Sequence, residues 1–426
     1  MKKNFTFLCL LLTVALLSSC GIKIQDAEPD DDMDSQTDIS LTLWTCPVGN
    51  WGNPTTVANL LTGFHKEYPN IHISVEYLDY ESGDEQILQA AADNCLPDLV
   101  LEGPERLVTN WGDKGWMVDL SDLWESEKAG AIYENIREAC LHKNGAYYEF
   151  PICMSAHCMA INYDMFRAAG ALQYIDEETH TWTTDGFINA VHALTAYGQK
   201  NAGILYCKSQ SGDQGTRALV NNLYGGTFTD DTHTFSTVDS KENRDALQLL
   251  YDLEGITFEP SLTSSDAIDQ FCKKETAMCF CWNASIQIQQ TINNPNLDFE
   301  IFPIAFPTNE DTPKLEGGIW GLGIFDNGSQ EQIEASKTFI RYITENDASY
   351  TKAVQVSSYW PVRDIGNIYE NDTYMTEYSI FTPYMGDYDQ ITPGWTEART
   401  AWWQMLAKIS SGTDIAEAVK DFPSPD

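Results

Sequence analysis

Apolar residues fall along this chain in short alternating or continuous runs, separated by stretches in which they recur every three or four positions. The run "ISLTLWT" at 39–45 is rich in β-branched and aromatic residues and predicts a strand. Pro54 then opens a helix with Asn53 as its cap, and Val57, Leu60, Leu61, Phe64 and Tyr68 share one face of it. "IHISVEYL" and "PDLVL" predict two more strands with a helix between them, and Asn144-Gly145 marks a turn between extended stretches. Beyond it come "AHCMAINYDMF", a helix around Phe187, Val191 and Leu194, the strand "GILYC", and helices at about 239–254 and 264–274. Such alternation predicts an α/β protein with a largely parallel sheet and helices on both faces.

The late segment "TPGWTEARTAWWQML", 392–406, predicts one more helix. Ala398, Trp402, Met405 and Ile409 form its buried stripe, and Trp403 packs at its surface. Trp395 differs: it follows Pro393-Gly394 at the helix start, where an indole suits a flat ligand.

The N-terminus has another character. Met1-Lys2-Lys3 precedes "FTFLCLLLTVALL", too short for a comfortable membrane span, so 1–19 reads as an export signal. "LSSC" at 17–20 resembles the bacterial lipobox, which implies cleavage before Cys20 and a diacylglyceryl thioether on its sulfur. Each buried methylene of such chains contributes about 0.8 kcal/mol, and two chains make a stable anchor. Residues 20–38, acidic and nearly free of large apolar groups, cannot bury enough surface to fold and read as a flexible tether.

The remaining body of about 390 residues suits two domains. Losing Lys2 and Lys3 with the leader takes the formal charge from −38 to −40. That balance excludes nucleic acid as a partner, since phosphate backbones need clustered Lys and Arg. Beyond Cys9 and Cys20 nine cysteines remain, an odd number without zinc-ribbon spacing, and buried free thiols with at most a bridge or two are expected. No residue pattern asks for a metal or a cofactor.

At "NGAYYEFPICMSAHCMAINYDMFRAAG", 144–170, the chain resembles the carbohydrate-type extracellular solute-binding proteins (family 1) of bacterial ABC transporters. Their hairpin "G-x-x-Y-x-x-P" and strand end "Y-N-x-x-x-F-x-x-A-G" are both present, with the Tyr-Asn pair reversed as Asn162-Tyr163. "NCLPDLVL", "TWTTDGFINAVHALT", "FCKKETAMCFCWNAS", "GGIWGLGIF" and "SYWPVRDIG" resemble further family segments in the family's order. Cys95 or Leu96 stands where a Gly is common, and Glu275 replaces a small residue. The likeness spans about 39–426 and lies in order and spacing more than in any one motif.

This resemblance implies a type II periplasmic-binding-protein-like fold: two discontinuous α/β lobes joined by three crossing segments. The first lobe would comprise 39–150 plus 306–355 and the second 154–302 plus 363–426, with hinges near 151–153, 303–305 and 356–362. It implies a monomeric, lipid-anchored binding protein outside the cell membrane that captures a carbohydrate in its cleft for a permease. No catalysis is implied.

Sugars present hydroxyl edges and apolar faces, so a cleft needs aromatic platforms beside charged or amide groups, in loops at the carboxyl ends of strands. Those loops offer Trp51 and Asn53, Glu102 and Arg106, Ser155 and His157, Trp282, Trp320, then Tyr359, Trp360 and Arg363. Trp282 and Trp395 match the family's stacking positions. Two rival readings remain. The scaffold suits a polyamine, peptide or sugar acid as well, and a secreted glycoside hydrolase would also be acidic and Trp-rich, with Glu102 and a second carboxylate as its pair. No GxSxG, HExxH or P-loop spacing accompanies them.

Overall fold

The computed structural model describes residues 37–78, 82–230, 234–386 and 388–422. The export signal, Cys20 and residues 20–36 of the tether lie outside the described residues. The strands are β1 (Ile39–Thr45), β2 (Ile71–Tyr77), β3 (Leu99–Glu102), β4 (Phe150–Ala156), β5 (Cys158–Asn162), β6 (Gly203–Tyr206), β7 (Ile256–Glu259), β8 (Met278–Trp282), β9 (Ile301–Ile304), β10 (Gly317–Ile324) and β11 (Trp360–Pro361). One sheet has the order β11-β4-β10-β3-β1-β2, a second β8-β5-β9, and a third pairs β6 with β7. The first sheet carries one lobe and the other two carry the second.

A single residue, His157, separates β4 from β5, although the two strands belong to different sheets. The chain returns between β9 and β10 and leaves the large sheet again after β11. Pro151 and Cys153, within the first expected hinge, pair inside β4, and Pro303 pairs with Ala160 inside β9. The changes of sheet therefore fall at His157 and in 305–316.

The large sheet is mixed rather than largely parallel. β1 runs parallel to β2 and β3, but β10 is antiparallel to both β3 and β4. The reason is topological: β10 enters from the second lobe where β4 leaves the first, so the two run against each other, and β3 points the same way as β4. The strand periodicity cannot show that, because an inward-facing residue looks the same in either direction.

Local chemistry fixes the helix starts. Asn53 accepts from the amides of Thr55 and Thr56 at the head of the helix Pro54–Glu67, whose Val57, Leu60 and Phe64 are buried. Thr183 and Asn283 cap the helices Thr184–Tyr197 and Ala284–Asn293, and Thr263 with Asp266 forms a reciprocal capping box. Each such cap is worth about 1 kcal/mol.

The core claims several aromatics that the loops were expected to offer to a ligand. Trp51 is fully buried in the short turn Gly49–Gly52. At Gly49 (φ +50°) any Cβ would meet the Ser357 carbonyl, so this loop is clamped onto its own lobe. Trp282 is also fully buried: its indole donates to the Tyr378 hydroxyl at 2.7 Å and to Gln287 at 3.2 Å, edge-on to Phe271. Arg363 lies over the Tyr350 ring at 3.9 Å and donates to the Thr344 carbonyl at 2.7 Å. All nine cysteines of the described residues are free thiols, seven of them buried.

Trp282→Ala removes a buried indole with both of its hydrogen bonds, and a loss of about 3–5 kcal/mol in unfolding free energy is expected from urea denaturation. A loss below about 1 kcal/mol would show that the indole is not a core group.

Candidate functional site

Between the two sets of sheets opens a cavity of about 1490 Å³. On the first lobe β3 ends at Glu102, and residues Glu105–Asn110 continue as a π-helix, a rare geometry that often accompanies functional sites. Arg106 projects from its first turn into the cavity wall. Its guanidinium donates to Asp84 at 2.7 and 3.0 Å and to Glu102 and Glu105 at 3.3 Å each.

Glu102 is 1% exposed and sits behind Arg106, outside the cavity lining. Burial raises its carboxyl and Arg106 opposes the rise. Nearby Glu149, fully buried with no protein partner on either oxygen, is pushed well above the carboxylate range by burial and then by Glu105 and Glu102. The second lobe reaches this wall through Tyr388, whose hydroxyl donates to Glu105 at 3.0 Å.

The opposite wall rests on the helices Asp213–Tyr224 and Trp395–Ser410. Arg217, 1% exposed, is bonded by Asp213 and Glu316, and its guanidinium lies 4.7 Å from the Trp395 ring centroid and 5.0 Å from that of Phe228. Arg399 pairs with Asp213 at 2.8 Å from the neighbouring helix. Phe228 meets Trp395 edge-on at 5.7 Å and 82°. The indole is thereby fixed from two sides at the cavity wall, with 7% of its surface exposed. Gly394 (φ +81°) lets the chain turn sharply into that helix.

Burial pushes the Glu316 carboxyl from 4.5 up to about 7, against the lowering influence of Arg217. His157, 3.8 Å from the Cys281 sulfur and 3.2 Å from Gln214, is pushed down to about 4 by burial, with Arg217 adding to the effect. It packs at the crossing and does not line the cavity.

Of the residues expected at the site, Arg106 and Trp395 are brought together on the cavity. Asn53 caps its helix, Ser155 and Trp360 are buried, and Trp320 stacks on Tyr359 at 4.8 Å and 18°, outside the lining. Sequence reasoning missed Asn221, Phe228, Glu316, Asp389 and Thr392, all of which line the cavity. One signal was available: Asn221 follows Arg217 by four residues and so shares its helix face.

The lining carries ten acidic and four basic side chains, and the whole chain 63 and 25. A quarter of the 40 lining residues are acidic, against about one in seven of the 426 in the chain, so the cavity is more anionic than the chain average. Among the described residues no group of three or more His, Cys, Asp or Glu side chains is placed to hold a metal ion.

The sequence model of a family described as bacterial extracellular solute-binding protein matches residues 50–350. Comparison with curated proteins gives no match. Among solved structures, a cyclic α-maltosyl-1,6-maltose binding protein from Arthrobacter globiformis has a TM-score of 0.73 at 16% identity, covering 90% of this chain and 96% of its own. An ABC transporter solute-binding protein from Thermotoga lettingae TMO, bound with α-D-tagatose, gives 0.70 at 18% identity, covering 90% and 97%. UgpB from Mycobacterium tuberculosis, in complex with glycerophosphocholine, gives 0.70 at 16%, covering 90% and 96%. At these identities the likeness establishes the two-lobe α/β fold.

The raised Glu316 carboxyl makes a signed prediction. Its folded-state value lies above the unfolded one, so its stabilising contribution is complete below about pH 4.3 and is lost as pH rises through about 7. In urea titrations, the stability of the wild type relative to Glu316→Gln is expected to fall as pH rises, levelling off near pH 8. A flat or rising difference would contradict the raised Glu316 carboxyl.

Proposed function

We propose, for a chain that belongs to the bacterial extracellular solute-binding protein family, that it captures a neutral oligosaccharide between its lobes and delivers it to the permease of an ABC importer. The observation that carries this reading is the cavity itself: both lobes line it, and the indole of Trp395 is held rigidly on its wall. The part of the ring open to the cavity is preset, so contact with it carries no ordering cost at the moment of binding. Arg106, Asp389 and Arg399 supply charged hydrogen-bonding groups around it.

Size and charge narrow the ligand. Pockets for compact small molecules hold about 300–1,000 Å³, and about 1490 Å³ suits several linked sugar units. The acid-rich lining would also suit a polyamine, while the basic side chains on it and the Trp395 ring favour a neutral polyol. Two of the solved relatives bind carbohydrates by their names, which supports the reading, and the third carries glycerophosphocholine, so a polar non-sugar ligand is the alternative.

The proposed mechanism is closure. Glu105 and Tyr388 come from opposite lobes, so a ligand seated between their walls touches both and stabilises the closed state through its differential contacts. No helix among the described residues is long and apolar enough to cross a membrane. Attachment outside the cell membrane is assigned to a lipid on Cys20, with the body acting as a monomer.

A thermal-shift screen of neutral glycans is expected to find at least one that raises the melting temperature, with no reducing-end product on incubation. Trp395→Ala should weaken that glycan by about 1–3 kcal/mol, roughly 5–150-fold. Stabilisation by polyamines or phosphodiesters alone would overturn the sugar reading. In whole cells, Cys20→Ala should move the protein from the detergent phase to the aqueous phase. Unchanged partitioning would remove the lipid anchor.

A further inference from the structure

Two polar atoms on the cavity wall are buried yet unbonded. Thr392 is 1% exposed, lines the cavity, and its hydroxyl has no protein partner. The side-chain oxygen of Asn221, also on the lining, is buried and equally without a protein partner. Folded proteins keep few such groups, because a donor or acceptor withdrawn from water without replacement destabilises the fold.

Both groups are held in place by their surroundings. The Thr392 amide donates to the Asp389 carbonyl at 2.9 Å, and its own carbonyl accepts from the Trp395 amide at 3.1 Å. The backbone is thus fully engaged, and the hydroxyl is set one turn before the indole. Asn221 stands on the helix Asp213–Tyr224, four residues beyond Arg217, whose guanidinium is fixed by Asp213 and Glu316. Each atom has almost no surface open to water as the cavity stands, so a ligand reaches it only as the wall opens beside it.

We propose that the Thr392 hydroxyl and the Asn221 side-chain oxygen are specificity contacts, bonded by hydroxyl groups of the sugar that lies against Trp395. This rests on the saccharide reading above. The Thr392 oxygen can donate or accept, whereas the Asn221 oxygen only accepts, so the pair suits a neutral polyol better than an anion. A site that buries such groups rejects a ligand lacking the matching hydroxyl more strongly than the lost contact alone implies, because its own groups stay unpaired.

The test exploits opposite effects on stability and binding. Thr392→Val keeps the shape and deletes the hydroxyl, so the urea midpoint of the free protein should stay equal or rise. Affinity, measured by calorimetry with the tightest member of a panel of neutral gluco-, galacto-, manno- and xylo-oligosaccharides, should fall at least fivefold. Asn221→Leu should likewise weaken binding while the protein stays folded. A clearly lower midpoint for Thr392→Val would show that the hydroxyl already has a structural bond, which overturns the proposal. Native affinity in both variants would overturn it as well, leaving the saccharide reading intact. If the wild type bound none of the panel, the saccharide reading would fail first and this inference with it.

Discussion

A guanidinium withdrawn from water is costly unless carboxylates meet it with good geometry, and Arg217 is 1% exposed. Asp213, one turn back on the same helix, and Glu316, at the end of a crossing segment, supply those carboxylates. Arg399 then joins the chain through Asp213, so that four charges of alternating sign link a crossing segment to two helices of the second lobe. The same guanidinium lies against the rings of Phe228 and Trp395. Cavity wall, crossing segment and the Trp395 ring are consequently parts of one network, and a shift in any of them strains the others.

The second constraint is covalent. With only His157 between β4 and β5, a rotation of one sheet against the other must be absorbed within a residue or two there. The return segment 305–316 is longer, and its end carries Glu316. The crossing segment and the cavity wall thus share an ion pair. Tyr388 bonded to Glu105 adds a contact made between the walls themselves.

Helix faces and caps were legible in the sequence because their signals are local. Asn53 caps where its position before Pro54 says it should, and Trp402, Met405 and Ile409 are buried as their spacing demands. The site was legible only in part. Trp395 and Arg106 reach the cavity, but Trp51 and Trp282 went to the core, since an indole at a strand end reads alike whether it faces a cleft or packs inward. Arg217 carries no local signal: its neighbours Glu316 and Arg399 lie 99 and 182 positions away along the chain, and Arg399 meets Asp213 across 186. No periodicity encodes pairs at that range. The direction of β10 was hidden for the same reason.

The central claim, that a glycan is held between the walls of this cavity against Trp395, is tested most directly by amide hydrogen exchange with and without a bound oligosaccharide. Added protection is expected together in three segments, the π-helix 105–110, the helix face 217–222, and the turn 389–396. Protection confined to one lobe, or appearing around Trp320 and Tyr359 while those three segments exchange unchanged, would contradict it.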